Sequence, residues 1–336
     1  MKALVTGAGG FLGRCLVEQL VARGDAVRGL SRQAYGALDR LGVECVRADI
    51  RNAGAVHAAV RGMDVVFHTA AVPGVWGSWE LFHSINVQGT ENVIAACQAA
   101  GVRRLVFTSS PSVTFDGSDQ CGVDESVPYP PRWLCHYPHT KALAEQAVLA
   151  SNGCRGLLTC ALRPHLIWGP RDPHLVPRLI DRARRGRLRQ VGDGTNLIDM
   201  VYVENAAYAH LLAADALTDN SPAAGRAYFI SQGEPVRCWD WINAILALSG
   251  LPPVRRRMSA AAARRVGAVL EATYRLLRIG HEPAMTRFLA AQLATSHYFN
   301  IDCARRDLRY QPLVSTEEGM RRLGEWLAEV PPPAQS

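Results

Sequence analysis

Tyr137 and Lys141 stand four residues apart, in a segment whose apolar periodicity predicts a helix. Residues with this spacing lie on the same helix face, so the two side chains should be neighbours. A free phenol has a pKa of about 10, and a nearby ammonium group stabilises the phenolate. We therefore expect Lys141 to lower the pKa of Tyr137, so that Tyr137 can exchange a proton with a substrate oxygen.

A serine-rich segment supplies a second polar group for that oxygen. Ser109 and Ser110 follow a predicted strand over residues 104–107, and Ser112 comes shortly afterwards. Ser110 is the predicted partner of Tyr137 at the substrate oxygen. Ser109 and Ser112 are close enough along the chain for the assignment among the three serines to stay open.

A glycine-rich turn near the N-terminus should bring a cofactor to these residues. It follows a short apolar run over residues 3–5 and precedes a helical pattern that ends near Gly24. A strand, a glycine turn and a helix in this order bind the pyrophosphate of a dinucleotide, because the glycines allow close approach and the free helix N–H groups face the phosphates. The predicted contacts in this turn are Gly7, Gly9, Gly10, Phe11, Leu12 and Gly13.

The end of the second predicted strand indicates which dinucleotide is bound. This strand covers residues 26–30 and is followed by Ser31 and Arg32, with no acidic residue at that point. A carboxylate there would hold the ribose hydroxyl of NAD, whereas an arginine can pair with the additional phosphate of NADP. The sequence therefore predicts NADP (NADPH) as the cofactor.

Further strands alternate with helices and predict the fold. Predicted strands over residues 45–48, 64–68 and 104–107 alternate with helical segments such as residues 86–100. This pattern is typical of an α/β fold with a doubly wound parallel (Rossmann) sheet, in which ligands bind beyond the carboxyl ends of the strands. Residues at those ends complete the predicted cofactor site: Asp49, Ile50, Thr69, Ala70, Ala71 and Thr108.

We place the NADP-binding domain at residues 1–165. Residues 166–336 should form a smaller, mainly helical substrate-binding region, with strands and helices that return to the Rossmann core.

These motifs together resemble the extended short-chain dehydrogenase/reductases. The resemblance rests on the glycine turn, on residues 86–90 and 108–110, and on the Tyr137–Lys141 pair. It implies Ser110, Tyr137 and Lys141 as catalytic residues with Asn86 in support. Tyr137 and Lys141 then also contact the cofactor, as do Pro164 and His165.

Within that family the sequence is similar to the branch of 3β-hydroxysteroid and sterol-4-carboxylate dehydrogenases, through residues 163–173, 199–205 and 297–299. Residues 74–78 and 109–113 narrow the likeness to bacterial 2-alkyl-3-oxoalkanoate reductases of long-chain olefin biosynthesis. That resemblance implies NADPH-dependent reduction of a long-chain β-keto acid to the 3-hydroxy acid, with Tyr137 as proton donor.

Three other functions stay open. The first is an NAD(P)-dependent 3β-hydroxysteroid or sterol-4-carboxylate dehydrogenase, which suits Ser31 and Arg32 poorly if it uses NAD. The second is a nucleotide-sugar epimerase or dehydratase, for which the C-terminal part offers no motif. The third is a non-catalytic NADP-sensing protein, which has no need of Tyr137 and Lys141.

Composition limits the remaining possibilities. The chain has 336 residues, is 48% hydrophobic and carries a net charge of +7. Its nine cysteines form no CxxC pair, which favours reduced thiols in a cytoplasmic protein without a metal site. No apolar stretch is long enough to span a bilayer, and nothing beyond charge indicates nucleic-acid binding.

An arginine-rich segment over residues 254–293 is the most distinctive part of the C-terminal region. As helices it would have apolar faces with cationic rims, in keeping with a hydrophobic substrate that carries a carboxylate or a sterol skeleton. The segment could be a lid over the substrate, a peripheral contact with a membrane or a partner enzyme, or an ordinary solvated helix pair. A homodimer is a further candidate assembly. The arginines are Arg255, Arg256, Arg257, Arg264, Arg265, Arg275 and Arg278.

Overall fold

A seven-stranded parallel sheet forms the centre of the computed structural model, which describes residues 1–329. Its strands, in chain order, are β1 (Lys2–Thr6), β2 (Ala26–Ser31), β3 (Glu44–Arg47), β4 (Val65–His68), β5 (Arg104–Thr108), β6 (Leu158–Pro164) and β7 (Arg226–Ile230). In space they follow the order β3-β2-β1-β4-β5-β6-β7. The order reverses between β1 and β4, and a ligand crevice opens at such a point.

The α-helices in the described part of the chain are α1 (Phe11–Ala22), α2 (Gly36–Asp39), α3 (Ala53–Val60), α4 (Trp79–Phe82), α5 (Gly89–Ala100), α6 (His136–Ala150), α7 (Leu175–Arg184), α8 (Val203–Ala216), α9 (Cys238–Leu248), α10 (Ala260–Leu276), α11 (Arg287–Ala294), α12 (Asp302–Leu308) and α13 (Thr316–Glu329). Among residues 1–329, no helix has both the length and the apolar character needed to cross a membrane.

The central strands are apolar on both faces because helices cover both faces, as in other parallel sheets. Val5 and Phe67 pack with α1 and α8 on one side. Leu4 and Val66 pack with α3 and α5 on the other side. Since α8 and β7 lie beyond residue 165, the C-terminal half of the chain completes the Rossmann layer.

A third apolar cluster builds the substrate-binding region. It contains Trp168, Tyr202, Trp239 and Trp241, and it involves α7, α9 and α13. Short strands connect this region to the N-terminal half. The strand His297–Phe299 pairs in parallel with both Gln120–Val123 and Leu197–Ile198. The remaining short pairs join Leu197–Ile198 to Val236–Arg237, Ile167–Trp168 to Val201–Tyr202, and Gln190–Val191 to Arg257–Met258.

The predicted doubly wound parallel sheet is confirmed, and the predicted strands agree with β1–β5 to within one residue or two. The predicted helix over residues 86–100 differs at its start. A π-helical turn over His83–Gln88 runs directly into α5, so Asn86 lies inside a widened turn. Such turns often occur at functional sites, and no simple apolar period marks them in a sequence.

Candidate active site

Nine of the predicted cofactor residues line one cavity of about 260 Å³ at the carboxyl ends of β1–β4. They are Gly7, Gly10, Ser31, Arg32, Asp49, Ile50, Thr69, Ala70 and Ala71. Gln33 and Tyr35 line the same cavity and were not predicted. The cavity lies where the strand order reverses, which is the position that a doubly wound sheet offers to a dinucleotide.

The glycine turn fits a pyrophosphate. Gly7 has a φ of +72°, and a Cβ there would lie 2.9 Å from the Ala70 backbone. A Cβ on Gly13 would lie 2.2 Å from the Gly7 carbonyl oxygen, so the helix can pack on the turn only without a side chain. Gly10 precedes α1 and provides no side-chain cap. The first N–H groups of α1 are therefore free to bind an anion.

The other predicted residues of the turn have packing roles here. A Cβ on Gly9 would lie 2.0 Å from the Tyr35 ring, so this ring covers the turn at that point. Leu12 is buried in the core, and Phe11 begins α1 half-buried. Tyr35 comes three residues after Arg32 in the sequence. No periodicity or motif of the sequence predicts its contact with the glycine turn.

The rim of this cavity at β2 and β3 is rich in cations. Arg32 is exposed and forms no ion pair with the residues that the structure describes. Asp49 is held by Arg51, whose Nη2 lies 2.8 Å from Oδ2 and whose Nε donates to Oδ1 over 3.0 Å. These hydrogen bonds lower the pKa of the Asp49 carboxyl. The Asp49 carboxyl at this rim is thus ionised and already paired with Arg51.

A second cavity, of about 140 Å³, contains the predicted catalytic hydroxyls. Ser110, Ser112 and Tyr137 line it, together with His165 and His297. The Ser110 and Ser112 oxygens are 2.9 Å apart, and the Ser112 N–H donates to Ser110 Oγ over 3.2 Å. Ser109 is buried and is absent from the described lining, which favours Ser110 or Ser112 as the serine that meets a ligand.

Burial determines the acidity of Tyr137. It raises the pKa of Tyr137 to about 12, and a hydrogen bond with Ser110 only partly opposes this shift. The expectation that Lys141 gives Tyr137 a lowered pKa is therefore wrong. The physical reason is that the same burial disfavours the charged forms of both groups. Tyr137 holds its proton at neutral pH.

Lys141 is placed as predicted on α6, one turn after Tyr137. Its Nζ donates to the Thr108 carbonyl oxygen over 2.5 Å and lies 4.0 Å from the centre of the Phe107 ring. Burial lowers the pKa of Lys141 to about 7, against the opposing influence of Glu145. Lys141 and Thr108 thus meet at the end of β5.

Asn86 acts on this site through other groups. Its Nδ2 donates to Thr140 Oγ1 over 3.1 Å, and its Oδ1 accepts from the Val72 N–H over 2.8 Å. Thr140 precedes Lys141 on α6, and Val72 follows β4. Asn86 therefore fixes the catalytic helix against the rim of the cofactor cavity and is a positioning residue.

His165 lies in the second cavity, although it was predicted as a cofactor contact. It follows β6, which ends at the buried Pro164. His165 bonds to Asp199 and to His297. Neither Asp199 nor His297 was predicted as a site residue, although both stand in motifs that carried the family resemblance.

A wider groove of about 820 Å³ is lined by Cys135 and His136, the two residues before Tyr137. Trp76, Trp133 and Tyr274 line it together with Arg275 and Arg278. An apolar cluster of Val75, Leu134, Cys135, Phe115, Phe288 and Ala291 contributes residues to both the groove and the second cavity. The arginine-rich segment thus contributes to the wall of a partly apolar groove next to the catalytic hydroxyls.

Comparison with known proteins identifies the family. The sequence profile of the 3-beta hydroxysteroid dehydrogenase/isomerase family matches residues 4–258. A 2-alkyl-3-oxoalkanoate reductase of Shewanella oneidensis is 51% identical over 328 residues, covering 96% of this chain and 85% of the relative. A decarboxylating sterol-4-alpha-carboxylate 3-dehydrogenase of Mus musculus is 36% identical over 325 residues, covering 96% of this chain and 89% of the relative.

A solved structure extends the comparison to the fold. MoeE5 in complex with UDP-glucose and NAD superposes with a TM-score of 0.75 and 28% identity, over 98% of this chain and 99% of that one. The chain belongs to the 3-beta hydroxysteroid dehydrogenase/isomerase family and is an oxidoreductase built on the extended short-chain dehydrogenase/reductase fold.

Proposed function

We propose that this protein reduces the 3-oxo group of a long-chain 2-alkyl-3-oxoalkanoate to the 3-hydroxy acid, with NADPH as the reductant. The observation that carries the proposal is the 51% identity to a bacterial reductase of that name, which extends over 96% of the chain. The site supports it independently, because a protonated tyrosine beside a serine pair suits transfer of a proton to a carbonyl oxygen.

Ser110, Tyr137 and Lys141 each have a separate role in the proposed reaction. When bound, the reduced nicotinamide supplies a hydride to the carbonyl carbon. Ser110 donates a hydrogen bond to the carbonyl oxygen, and Tyr137 gives that oxygen its hydroxyl proton, so that an alcohol and a tyrosinate result. Lys141, whose pKa burial lowers to about 7, can hold or release a proton at neutral pH and is suited to restore the tyrosine.

NADPH is favoured over NADH by the rim of the cofactor cavity. Ser31 and Arg32 line it, Arg32 is exposed, and the nearby Asp49 carboxylate is already engaged by Arg51. A 2′-phosphate at this rim could pair with the Arg32 guanidinium. The Asp49 carboxylate would repel it little, because Arg51 already neutralises that charge.

The groove beside Tyr137 suits the alkyl chains of the substrate. Its tryptophans and its tyrosine provide apolar area, and the shared cluster around Phe115 and Phe288 leads towards the second cavity. A flexible alkyl chain can extend along this shared apolar cluster from the second cavity into the groove.

We further propose that α10 brings the protein into peripheral contact with an anionic membrane. Val266, Val269 and Leu276 recur at helical spacing on the exposed face of α10, and Arg264 and Arg265 lie beside them. Exposed apolar side chains next to arginines bind the interface of anionic lipids.

A substrate panel tests the reaction. We expect NADPH oxidation with 2-alkyl-3-oxo acids, and little or none with 3-oxo sterols or UDP-sugars. Tyr137→Phe should lower kcat by about 100-fold or more, the range of a general acid, while the Kd for NADPH stays unchanged. Tyr208→Phe, which alters a tyrosine on α8 away from both cavities, is the matched control.

Two results would contradict the proposal. Turnover of sterols alone would favour the sterol dehydrogenase instead. Full activity in Tyr137→Phe would remove Tyr137 from the reaction.

A further inference from the structure

Three buried side chains form a continuous chain of hydrogen bonds in the wall of the second cavity. Asp199 Oδ1 lies 2.6 Å from His165 Nδ1, and His165 Nε2 lies 3.1 Å from His297 Nδ1. His297 Nε2 lies 2.8 Å from the Gln292 carbonyl oxygen. Asp199 is fully buried, and the two histidines are 6% and 3% exposed. We call Asp199, His165 and His297 the proton chain.

The number of protons in this chain follows from its two ends. A carbonyl oxygen only accepts, so His297 Nε2 must carry a hydrogen. At the other end Asp199 Oδ2 accepts from the Phe299 N–H over 3.0 Å. Three contacts need three protons, but an ionised aspartate and two neutral imidazoles supply only two. Without a third proton, two lone pairs would face each other across the 3.1 Å between the histidines.

A His165 ring that carries a hydrogen on both nitrogens satisfies all three contacts while Asp199 stays ionised. Burial and the neighbouring His165 lower the pKa of His297 to about 3, so His297 is neutral. His165 lies between Asp199, which stabilises a positive charge, and the free lone pair of His297. Tyr137 lines the same cavity as His165, and the Asp199 carboxylate acts on Tyr310. Burial raises the pKa of both, so neither adds a negative charge.

His165 is then the cation of the second cavity. Among the residues described as lining it there is no lysine or arginine. Gln120, which also lines the cavity, already donates its Nε2 to the Thr114 carbonyl oxygen over 3.0 Å. Arg275 and Arg278 line the separate outer groove.

The proposed substrate places a carboxylate in this cavity. In a 3-oxo acid a single carbon separates the carboxylate from the carbonyl carbon. When the carbonyl oxygen meets Ser110 and Tyr137, the carboxylate must therefore lie in the same small space. A carboxylate that leaves water without a charged or hydrogen-bonding partner costs several kcal/mol.

Resting on the function proposed above, we propose that protonated His165, oriented by Asp199 and His297, binds the substrate carboxylate and thereby selects acids over the corresponding neutral ketones. On binding, the His165 Nε2–H turns from His297 Nδ1 to a carboxylate oxygen. Asp199 keeps the charge on the ring, and His297 holds the N–H in place until the substrate arrives.

Binding without turnover tests this role. The ligands are a 2-alkyl-3-hydroxyalkanoate and its methyl ester, measured by calorimetry on NADPH-loaded protein, a combination that cannot react. His165→Gln should weaken binding of the acid about tenfold or more, as expected for a charge-assisted hydrogen bond, and leave binding of the ester unchanged. His57→Gln, on α3, is the matched control. Equal losses for acid and ester would overturn the proposal.

The proton count has its own test, which needs no substrate. ¹⁵N NMR of histidine-labelled full-length protein at pH 7, with His165 assigned through its loss in His165→Gln, should show both ring nitrogens of His165 protonated. If His165→Gln does not fold, His165→Asn serves for the assignment. A His165 ring with one bare nitrogen would overturn the proposal. Absence of turnover on 3-oxo acids would refute the proposed reaction alone, since neither of these measurements involves turnover.

Discussion

Lys141 is a buried amine whose pKa burial lowers from 10.5 to about 7. The chain has only two lysines, and arginine supplies the rest of its 37 basic side chains. An arginine at this position could not release a proton at neutral pH, whereas a buried lysine can. The amine is thus chemically suited to proton transfer near Tyr137. Because burial disfavours its charged form, a protonated Lys141 also lowers the free energy of unfolding, and we call this decrease the cost of burial.

That cost depends on pH. The unfolded chain keeps the Lys141 proton up to about pH 10.5, but the folded chain releases it near pH 7. Between these values the unfolded state binds more protons, so this group makes stability rise with pH, and its full cost is present below pH 7. Lys141→Met should therefore raise Tm at pH 6 and raise it less at pH 9, while activity is lost.

Thermal unfolding of both proteins at the two pH values measures this effect. Lys2→Met, which changes an exposed lysine at the start of β1, is the matched control. A loss of Tm at pH 6, or an equal change at both pH values, would contradict the assignment.

Arg32 is the residue on which the proposed preference for NADPH rests. Its guanidinium is exposed at the rim of the cofactor cavity and is free of ion pairs within the described chain. Arg32→Ala should weaken NADPH binding about tenfold or more, since a charge-assisted hydrogen bond is removed, and leave NADH binding unchanged. Fluorescence titration gives both Kd values, with Arg61→Ala as the control. Equal wild-type affinities for the two cofactors would exclude a preference for NADPH.

At the scale of elements, the π-helical turn over His83–Gln88 shows how local geometry serves the site. The widened turn contains Asn86, whose amide joins the Val72 backbone to Thr140 on α6. A regular helix would rotate the side chains that follow. The turn and α6 together position Tyr137 at the second cavity and Lys141 at the end of β5.

Helix α10 has two different faces. Ala263, Gly267 and Glu271 are buried against α11, where a Cβ on Gly267 would lie 2.6 Å from the Thr286 backbone. On the opposite side Val269 and Leu276 are 65% and 83% exposed. The buried face therefore fixes the helix, and the exposed face is available to a partner.

The exposed face of α10 yields a prediction about membranes. Val269→Asp combined with Leu276→Asp should reduce sedimentation with phosphatidylglycerol vesicles several-fold, because exposed apolar area is lost and negative charge is added. Both positions are exposed, so folding should not change. Leu313→Asp, at an equally exposed site elsewhere, should leave sedimentation unchanged. Wild-type protein that stays in the supernatant would refute the membrane contact.

At the scale of the whole molecule, both halves of the chain build the second cavity. Ser110 and Tyr137 come from the Rossmann half, and His297 comes from a strand that pairs with Gln120–Val123. This pairing holds residues far apart in the sequence on the two sides of one small space. Ser110, Tyr137 and the proton chain therefore come together only in the folded molecule.

The sequence by itself determined the sheet, the glycine turn and the Tyr137–Lys141 pair. These depend on local patterns: apolar periodicity, glycines at fixed spacing, and a four-residue step on one helix. Only the tertiary structure decided the protonation of Tyr137 and the partners of His165. Burial reversed the expected shift at Tyr137, and the contact of His165 with His297 spans 132 residues. Desolvation and long-range contacts depend on how elements pack, and no local pattern of residues encodes them.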